Sequence, residues 1–334
     1  MHTGNRVLLA GAIAAALVAA PGFARANCGA EGCPLDSHGP ETLFGRFSMD
    51  VAYQYIQADR HWDGSHEISE DEAIAAEGGL GHILEQLTTT RSYNFNARAR
   101  LTDRLMLSAS VPYIDRVHRH ALVHHAGYLI ESEWHMRGMA DASVLANWTA
   151  LRASDHSLVL QLGVKLPTGQ TNVEVVDGET PEPSARPGSG STDALLGAQY
   201  VHRFTGRTFR GLSASIPVSL GVAARINGTG TEEYRMGNEW QAHMGASVPL
   251  VRRVLLLGQL NASAHARDDV GNTDAEPHNT GNTALYASPG LRAELTPGVA
   301  MFGYYQFRLY EHTNGPQLTA PYHLSLGMVY AFGM

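Results

Sequence analysis

Large apolar residues alternate with small or polar residues along most of this chain. The clearest segment runs from Tyr322 to Phe332, where every even position is large and apolar and every odd position except Val329 is small or polar. A period of two places the apolar set on one face of a β-strand. An aromatic residue stands at each end of that apolar stripe, which is typical of a strand that faces lipid between two headgroup layers.

The alternation recurs in about twelve segments of roughly ten residues each. They fall near residues 46–56, 92–101, 105–113, 140–150, 158–166, 193–202, 212–222, 240–248, 254–264, 285–295, 299–310 and 322–332. The connections between them are mostly long and short in turn. The long ones cover residues 61–87, 116–137, 168–190, 227–236 and 267–282, and a shorter one covers 313–319. The first contains a helical pattern near Glu70 to Glu77, and a tight turn is predicted at Thr205–Arg207.

Long loops on one side and short turns on the other are typical of outer-membrane barrels, whereas β-sandwiches, the alternative all-β fold, do not usually alternate so regularly. We therefore predict an all-β fold: a transmembrane antiparallel β-barrel of about twelve strands in residues 42–334. The long loops are predicted to be extracellular and the short turns periplasmic. An even number of strands places both ends of the barrel in the periplasm.

The first 26 residues have the pattern of a secretory signal peptide. Arg6 precedes an apolar run that ends near Ala20, and Ala24–Ala26 forms an A-x-A cleavage site. The run is shorter than the roughly 20 residues that a membrane helix needs. We predict that residues 1–26 are removed and that the chain is exported to the bacterial outer membrane.

The two cysteines, Cys28 and Cys33, fall in a predicted periplasmic segment of residues 27–41. In an exported chain the first interpretation is a small disulfide loop. A metal site that uses both thiols and His38 is the alternative, although two cysteines are an incomplete ligand set. The same segment is where a periplasmic protein partner would dock.

Composition and motifs argue against several classes of function. The chain of 334 residues has a formal net charge of -8, which gives no electrostatic case for nucleic-acid binding. The sequence contains neither a C-x-x-C-H haem motif nor a G-x-S-x-G nucleophile elbow. We predict no cofactor and no enzymatic activity. An outer-membrane hydrolase that uses His323 and Ser325, which share a face of the last strand, is kept as the third interpretation.

If the large apolar residues face lipid, the other face of each strand lines the interior. Charges at membrane depth are costly unless they face water or each other. We therefore predict a wet or ion-paired interior with more basic than acidic groups. Its predicted lining residues are Arg98, Arg100, Asp141, Lys165, Asp193, Arg225, Arg292, Glu294 and Arg308. A conduit for anions or polar aromatic solutes and a barrel braced by arginine–carboxylate pairs both fit this set.

Histidines are concentrated in the second long connection, at His118, His120, His124, His125 and His135. Pairs of this kind can bind zinc, copper or nickel. The first four are therefore weak candidates for metal ligands. Because a loop supplies no fixed geometry, the prediction for this segment is a solvated loop without a metal.

Two short motifs resemble one protein family. Lys165–Gly169, K-L-P-T-G, ends one predicted strand, and Pro187–Ser191, P-G-S-G-S, precedes Asp193 at the start of the next. With the signal peptide and the last strand, they resemble the outer-membrane family named for the meta-pathway of phenol degradation. The resemblance implies a barrel channel for aromatic or other small hydrophobic compounds. The chain departs from the family in Gly333–Met334, which follow the last aromatic, and in the Cys28–Cys33 segment.

These observations predict an outer-membrane channel for passive passage of small solutes, in contact with outer-membrane lipid and lipopolysaccharide. The alternative is a non-conducting scaffold or sheath barrel that docks a periplasmic or surface partner such as an electron carrier. An open lumen favours the channel, and a plugged lumen favours the scaffold. A histidine–serine pair in contact with an asparagine or aspartate favours the hydrolase.

Overall fold

The computed structural model describes residues 46–76, 83–123, 129–173, 175, 181–209, 212–273 and 279–333. The predicted signal peptide, the segment 27–41 with Cys28 and Cys33, and the histidines His124 and His125 lie outside the described residues. Within the described residues, no helix is long and apolar enough to cross a membrane.

Nearly all of the regular structure is β-strand. The strands are β1 (Phe47–Ala58), β2 (Arg60–Asp63), β3 (His66–Glu67), β4 (Ile83–Arg100), β5 (Leu105–Val123), β6 (Leu129–Met139), β7 (Ser143–Arg152), β8 (His156–Lys165), β9 (Asp193–Phe209), β10 (Leu212–Ile226), β11 (Glu239–Val251), β12 (Val254–His265), β13 (Asn282–Thr296), β14 (Val299–Thr313), β15 (Gln317–Thr319) and β16 (Tyr322–Phe332). Among the described residues, one helix, α1 (Glu70–Ala76), and one 3-10 turn (Thr231–Glu233) lie in connections.

Twelve of these strands form a closed antiparallel ring. Its order is β1, β4, β5, β7, β8, β9, β10, β11, β12, β13, β14 and β16, and β16 pairs with β1 to complete the circuit. The strand β7 pairs with residues 105–110 of β5, and β6 pairs with residues 113–123 of the same strand. β6 and β7 therefore follow one another along one edge of β5, separated by a short interruption. The prediction of a twelve-stranded antiparallel barrel is confirmed.

The two ends of the barrel differ in the length of their connections. Short turns at residues 101–104, 153–155, 252–253 and 297–298 share one end with the first and last described residues, where the Arg46 amide donates to the Gly333 carbonyl at 3.1 Å. In barrels of this type the short turns face the periplasm. The long connections, α1 and the small sheet of β2, β3 and β15 therefore lie at the extracellular end.

The outer face of the ring is apolar, as the alternation predicts. Leu162, Leu220 and Leu326 are 64%, 50% and 48% exposed, and comparable side chains occur around the ring. A continuous apolar surface of this kind is stable only against lipid. Aromatic pairs stand near both edges of the band, with ring centroids 5.7 Å apart for Phe47 and Phe332 and 5.6 Å for Tyr305 and Tyr322.

The interior is partly filled by side chains. Ala52, Leu257, Phe302 and Tyr304 form an apolar cluster against the inner wall. The Phe302 ring lies over Gly327 of β16, where a β-carbon would stand 2.3 Å from the ring. The bare backbone of Gly327 is therefore what lets this aromatic ring lie flat inside the barrel.

Several predicted boundaries were wrong. At the extracellular end a loop was predicted over residues 116–137, but residues 116–123 belong to β5 and residues 129–137 belong to β6. At the periplasmic end the turn predicted at Thr205–Arg207 lies inside β9, which runs to Phe209. Beyond the membrane a strand needs no lipid-facing apolar side chains, so its alternation disappears. Arg119 and Glu133, for example, form an exposed ion pair on the outside of β5 and β6. The helix predicted near Glu70 is present as α1.

Candidate functional site

A cavity of about 320 Å³ occupies the interior toward the periplasmic end. We call it the central cavity. Inner side chains of β4, β5 and β7 to β12 line it, together with the turn between β4 and β5. Its charged lining residues are Arg98, Arg100, Arg104, Arg152 and Asp103. Amide side chains complete the wall at Asn96, Asn147, Gln161, Gln199, Gln241 and Asn261.

The central cavity keeps an excess of positive charge. Arg98 is braced against the wall by Asp50, with Nη1 2.5 Å from Oδ1, and Asn96 donates to the other carboxylate oxygen at 2.7 Å. With the buried Asp50 behind Arg98 and Asp103 at the turn, four arginines and two aspartates give this part of the wall a formal charge of +2. A polar wall with surplus arginine attracts anions and hydrogen-bonds carboxylates.

We call the connection between β8 and β9, residues 166–192, the inner loop. Its described residues 184–186 cross the extracellular end of the interior. Arg116 on the inner face of β5 donates to the carbonyl oxygens of Ser184 and Ala185. At the other side of the mouth, Arg186 forms an ion pair of 2.6 Å with Glu232 in the connection between β10 and β11. Because both contacts exist together, residues 184–186 span the extracellular mouth and narrow it.

A buried lysine anchors the inner loop at its base. Lys165 Nζ lies 3.0 Å from Asp141 and 2.7 Å from Asp193, and it also contacts the hydroxyls of Ser189 and Ser191 at 2.5 and 3.2 Å. We call these five residues the lysine cluster. Asp141 reaches it because the chain leaves the sheet between β6 and β7, which frees the backbone to turn the carboxylate inward.

Close backbone packing completes the anchor. The Gly169 amide donates to Asp141 at 2.8 Å. A β-carbon at Gly188 would lie 2.4 Å from the Gly169 carbonyl carbon, so the two limbs of the loop meet through bare backbone. The K-L-P-T-G and P-G-S-G-S motifs are therefore the two limbs of one anchor. Their glycines permit the contact and their polar residues bind Asp141 and Asp193.

Two buried ionisable groups, Tyr234 and Asp268, lie near the exposed Glu182 where the inner loop meets the extracellular connections. Tyr234 donates to Asp268, which also accepts the Gly237 amide at 2.7 Å. Burial raises the pKa of Asp268 and of Tyr234. Desolvation by the surrounding protein raises the pKa of Glu182 in the inner loop, a hydrogen bond with Ser184 partly offsets this, and the nearby charge of Asp268 adds to the rise. Docking of the inner loop therefore favours the neutral form of Glu182.

The other predicted lining residues are distributed along the wall. Arg225 faces Glu239 at 3.4 Å, and Arg292 is buried on β13. Glu294 is exposed near the periplasmic end of the same strand. Arg308 lies at the extracellular end, where it contacts Glu311 at 3.2 Å and stands 4.0 Å above the Trp62 ring, outside the central cavity.

The described histidines of the second connection belong to the wall. His118 and His120 are buried on β5 with ring centroids 5.4 Å apart, and His118 Nδ1 contacts the Thr88 hydroxyl at 2.8 Å. This corrects their assignment to a solvated loop. Among the described residues, the group of side chains spaced to hold a metal ion is Asp155, His156 and His202, and it does not include them. His323, a candidate for hydrolysis, contacts Gln306 at 3.2 Å.

Sequence reasoning missed four arginines that define the interior. Arg104 and Arg152 line the central cavity beside short turns, and Arg116 and Arg186 hold the inner loop. Simple strand parity places Arg152 on the opposite face of β7 from the cavity-lining Asn147, because the two are five residues apart. The register shift between Thr149 and Leu151 returns Arg152 to the inner side. The contact of Arg116 with the inner loop depends on tertiary structure, so no local sequence pattern predicts it.

Comparisons with known proteins concern the fold. No protein-family model matches this sequence, and none of the curated proteins matches it. An outer-membrane channel from Pseudomonas putida superposes with a TM-score of 0.61 and 16% identity over 90% of this chain and 100% of that one. The transport unit of the autotransporter AIDA-I from Escherichia coli does so with a TM-score of 0.54 and 11% identity over 90% and 93%.

These likenesses, with the lipid-facing band, define the chain as a β-barrel of the outer-membrane type. The resemblance to the meta-pathway family stays a prediction, as does the assignment of residues 1–41.

Proposed function

We propose that this barrel is an outer-membrane channel for passive passage of small solutes, and that it prefers small anions, including aromatic carboxylates. The observation that carries the proposal is the arginine-rich central cavity inside a closed barrel. A cavity of about 320 Å³ is at the lower end of the roughly 300–1,000 Å³ range of small-molecule sites. Four arginines and a set of amides supply the donors that a carboxylate needs.

The chemistry of the wall supports an aromatic acid better than a sugar or a cation. Arg100, Arg104 and Arg152 provide guanidinium groups that bind carboxylates and stack on aromatic faces. Apolar lining at Leu145 and Val159 gives the ring of such a solute a surface to contact. The meta-pathway resemblance, which implies aromatic compounds, is consistent with this class.

Passage also requires a change at the extracellular end. Residues 184–186 cross the mouth and are held by Arg116 on one side and Glu232 on the other. A solute therefore enters when the inner loop leaves some of these contacts while the lysine cluster keeps its base attached. This arrangement makes the inner loop the gate of the proposed channel.

A non-conducting scaffold is the second candidate. Two observations favour it. Residues 184–186 narrow the extracellular mouth, and Phe302, Tyr304 and Leu257 partly fill the interior. A scaffold requires that the inner loop stay docked at all times, and it predicts no solute uptake under any condition.

Uptake into liposomes distinguishes the two. Purified protein is reconstituted, and entry of benzoate, benzamide and benzylammonium is compared, because these solutes share a ring and differ in charge. The proposal predicts fastest entry for benzoate and loss of that preference in the Arg100→Gln/Arg152→Gln variant. The matched control is Arg225→Gln, which removes an arginine outside the central cavity. Equal entry of all three solutes refutes the anion preference, and absence of entry favours the scaffold.

A further inference from the structure

A second group of ligand-type side chains lies on the outside of the barrel at its periplasmic end. Asp155 belongs to the short turn after β7, His156 begins β8, and His202 lies on β9. The two histidines are directly opposite each other in the antiparallel pair, and their ring centroids are 6.5 Å apart. The donor atoms of all three side chains lie within 4.8 Å of one another.

The orientation of the group separates it from the central cavity. His156 has the strand parity of Leu158, Leu160 and Leu162, which is the lipid-facing parity of β8. His202 has the parity of the exposed Tyr200 on β9. The group therefore faces the membrane–water boundary of the periplasmic leaflet, on the outer surface of the wall that lines the cavity.

The local structure holds the three side chains together. The Arg203 amide donates to the Asp155 carbonyl oxygen at 2.6 Å, which ties the turn to β9. His156 Nδ1 lies 2.8 Å from Asp155 Oδ1. The His202 ring contacts Phe204 edge-on, with centroids 4.5 Å apart. Two imidazoles and an ionised carboxylate therefore converge on one point.

We propose that Asp155, His156 and His202 form a binding site for a divalent transition-metal ion, with zinc or copper as the fitting cations. Imidazole and carboxylate donors suit these ions, and three protein ligands leave a coordination position for water. Two donors at the tetrahedral angle on one zinc ion stand about 3.4 Å apart, since each bond is about 2.0–2.1 Å long. Donor atoms that stand at the 4.8 Å limit therefore close by about 1.4 Å when the ion binds.

Such a shift is available to these side chains. His156 and Asp155 are 34% and 47% exposed, so neither ring nor carboxylate is confined by core packing. The two histidine rings lie beside aromatic side chains, His156 beside Tyr200 and His202 beside Phe204. An ion pair between His156 and Asp155 alone is the competing account, and it gives His202 no role.

The test uses full-length protein without a polyhistidine tag, stripped of metal and titrated with zinc against a chromogenic chelator. The proposal predicts one site whose affinity falls at least about tenfold in His156→Gln/His202→Gln and in Asp155→Asn, because even indirect partners of a metal ligand are worth about 10–100-fold. The matched control, His66→Gln/His312→Gln, removes two histidines from the extracellular end and keeps the affinity.

Copper provides a second readout on the same proteins. Electron paramagnetic resonance of the copper-loaded protein is expected to show coupling to two imidazole nitrogens, and this signal disappears in His156→Gln/His202→Gln. Unchanged zinc affinity in that variant overturns the proposal, as does an equal loss in the His66→Gln/His312→Gln control. Unchanged affinity in Asp155→Asn overturns the three-ligand site.

Discussion

Replacement of Lys165 by methionine tests how the inner loop is held. The lysine is 9% exposed and is shared by two carboxylates, Asp141 and Asp193, whose side chains are 5% and 0% exposed. Methionine preserves most of the volume and removes the charge. Both carboxylates then remain in the wall without their common cation, and they repel each other.

The expected cost follows from this geometry. Removal of one partner from a buried ion pair costs about 3–5 kcal/mol, because the remaining charge is stranded. The paired strands β8 and β9 do not depend on the lysine, since ten backbone register pairs join them. The loss therefore falls on the docking of the inner loop and not on the barrel. At about 1.4 kcal/mol per tenfold, docking weakens at least about 100-fold.

Hydrogen–deuterium exchange followed by mass spectrometry measures the docking of the inner loop directly. The amides of Gly169 and Ser189 donate to Asp141, so peptides that contain them are expected to exchange at least about 100-fold faster in Lys165→Met. The matched control is Arg119→Met, whose exposed ion pair with Glu133 contributes little to stability. Unchanged exchange at Gly169 and Ser189, or equal acceleration throughout the barrel, would refute the reasoning.

Three further outcomes are expected. Gly188→Ala puts a β-carbon 2.4 Å from the Gly169 carbonyl carbon, so the inner loop undocks and solute entry into liposomes rises; unchanged entry contradicts this. Gly327→Ala displaces the Phe302 ring and lowers the free energy of unfolding by about 1–3 kcal/mol, measured by urea titration in detergent; equal stability argues against the ring packing. Because desolvation by the surrounding protein raises the pKa of Glu182, the docked loop holds its proton more tightly than the released loop. Docking therefore weakens as pH rises above about 4.5, entry increases toward pH 7, and Glu182→Gln is expected to abolish this dependence.

The membrane-spanning part of the fold could be predicted because lipid imposes a rule on every strand. Outward positions such as Leu162 and Leu326 must be apolar, and inward positions are free to be polar, so the period of two survives in the sequence. The rule ends at the edge of the membrane. There Arg119 and Glu133 are outward and His118 is inward, and a strand with two polar faces has the composition of a loop.

The interior was predictable in part. Strand parity identified Arg98 and Arg100 as cavity-lining residues, because the pleat alone determines the face on which they lie. The role of Asp141 was not predictable in the same way, because it depends on an interruption between β6 and β7 that brings its carboxylate to Lys165. Contacts made by a loop that folds back across the barrel, such as that of Arg116, have no periodic signal.

The central claim is that the barrel conducts anions through the arginine-lined cavity, and single-channel recording under a salt gradient tests it most directly. The account predicts discrete openings with a reversal potential on the anion-selective side, shifted toward zero in Arg100→Gln/Arg152→Gln and unchanged in Arg225→Gln. Cation selectivity, or an anion-selective reversal potential that persists in Arg100→Gln/Arg152→Gln, would contradict it. Silence at all voltages and at every pH from about 4.5 to 7 would contradict it as well, and would support the scaffold.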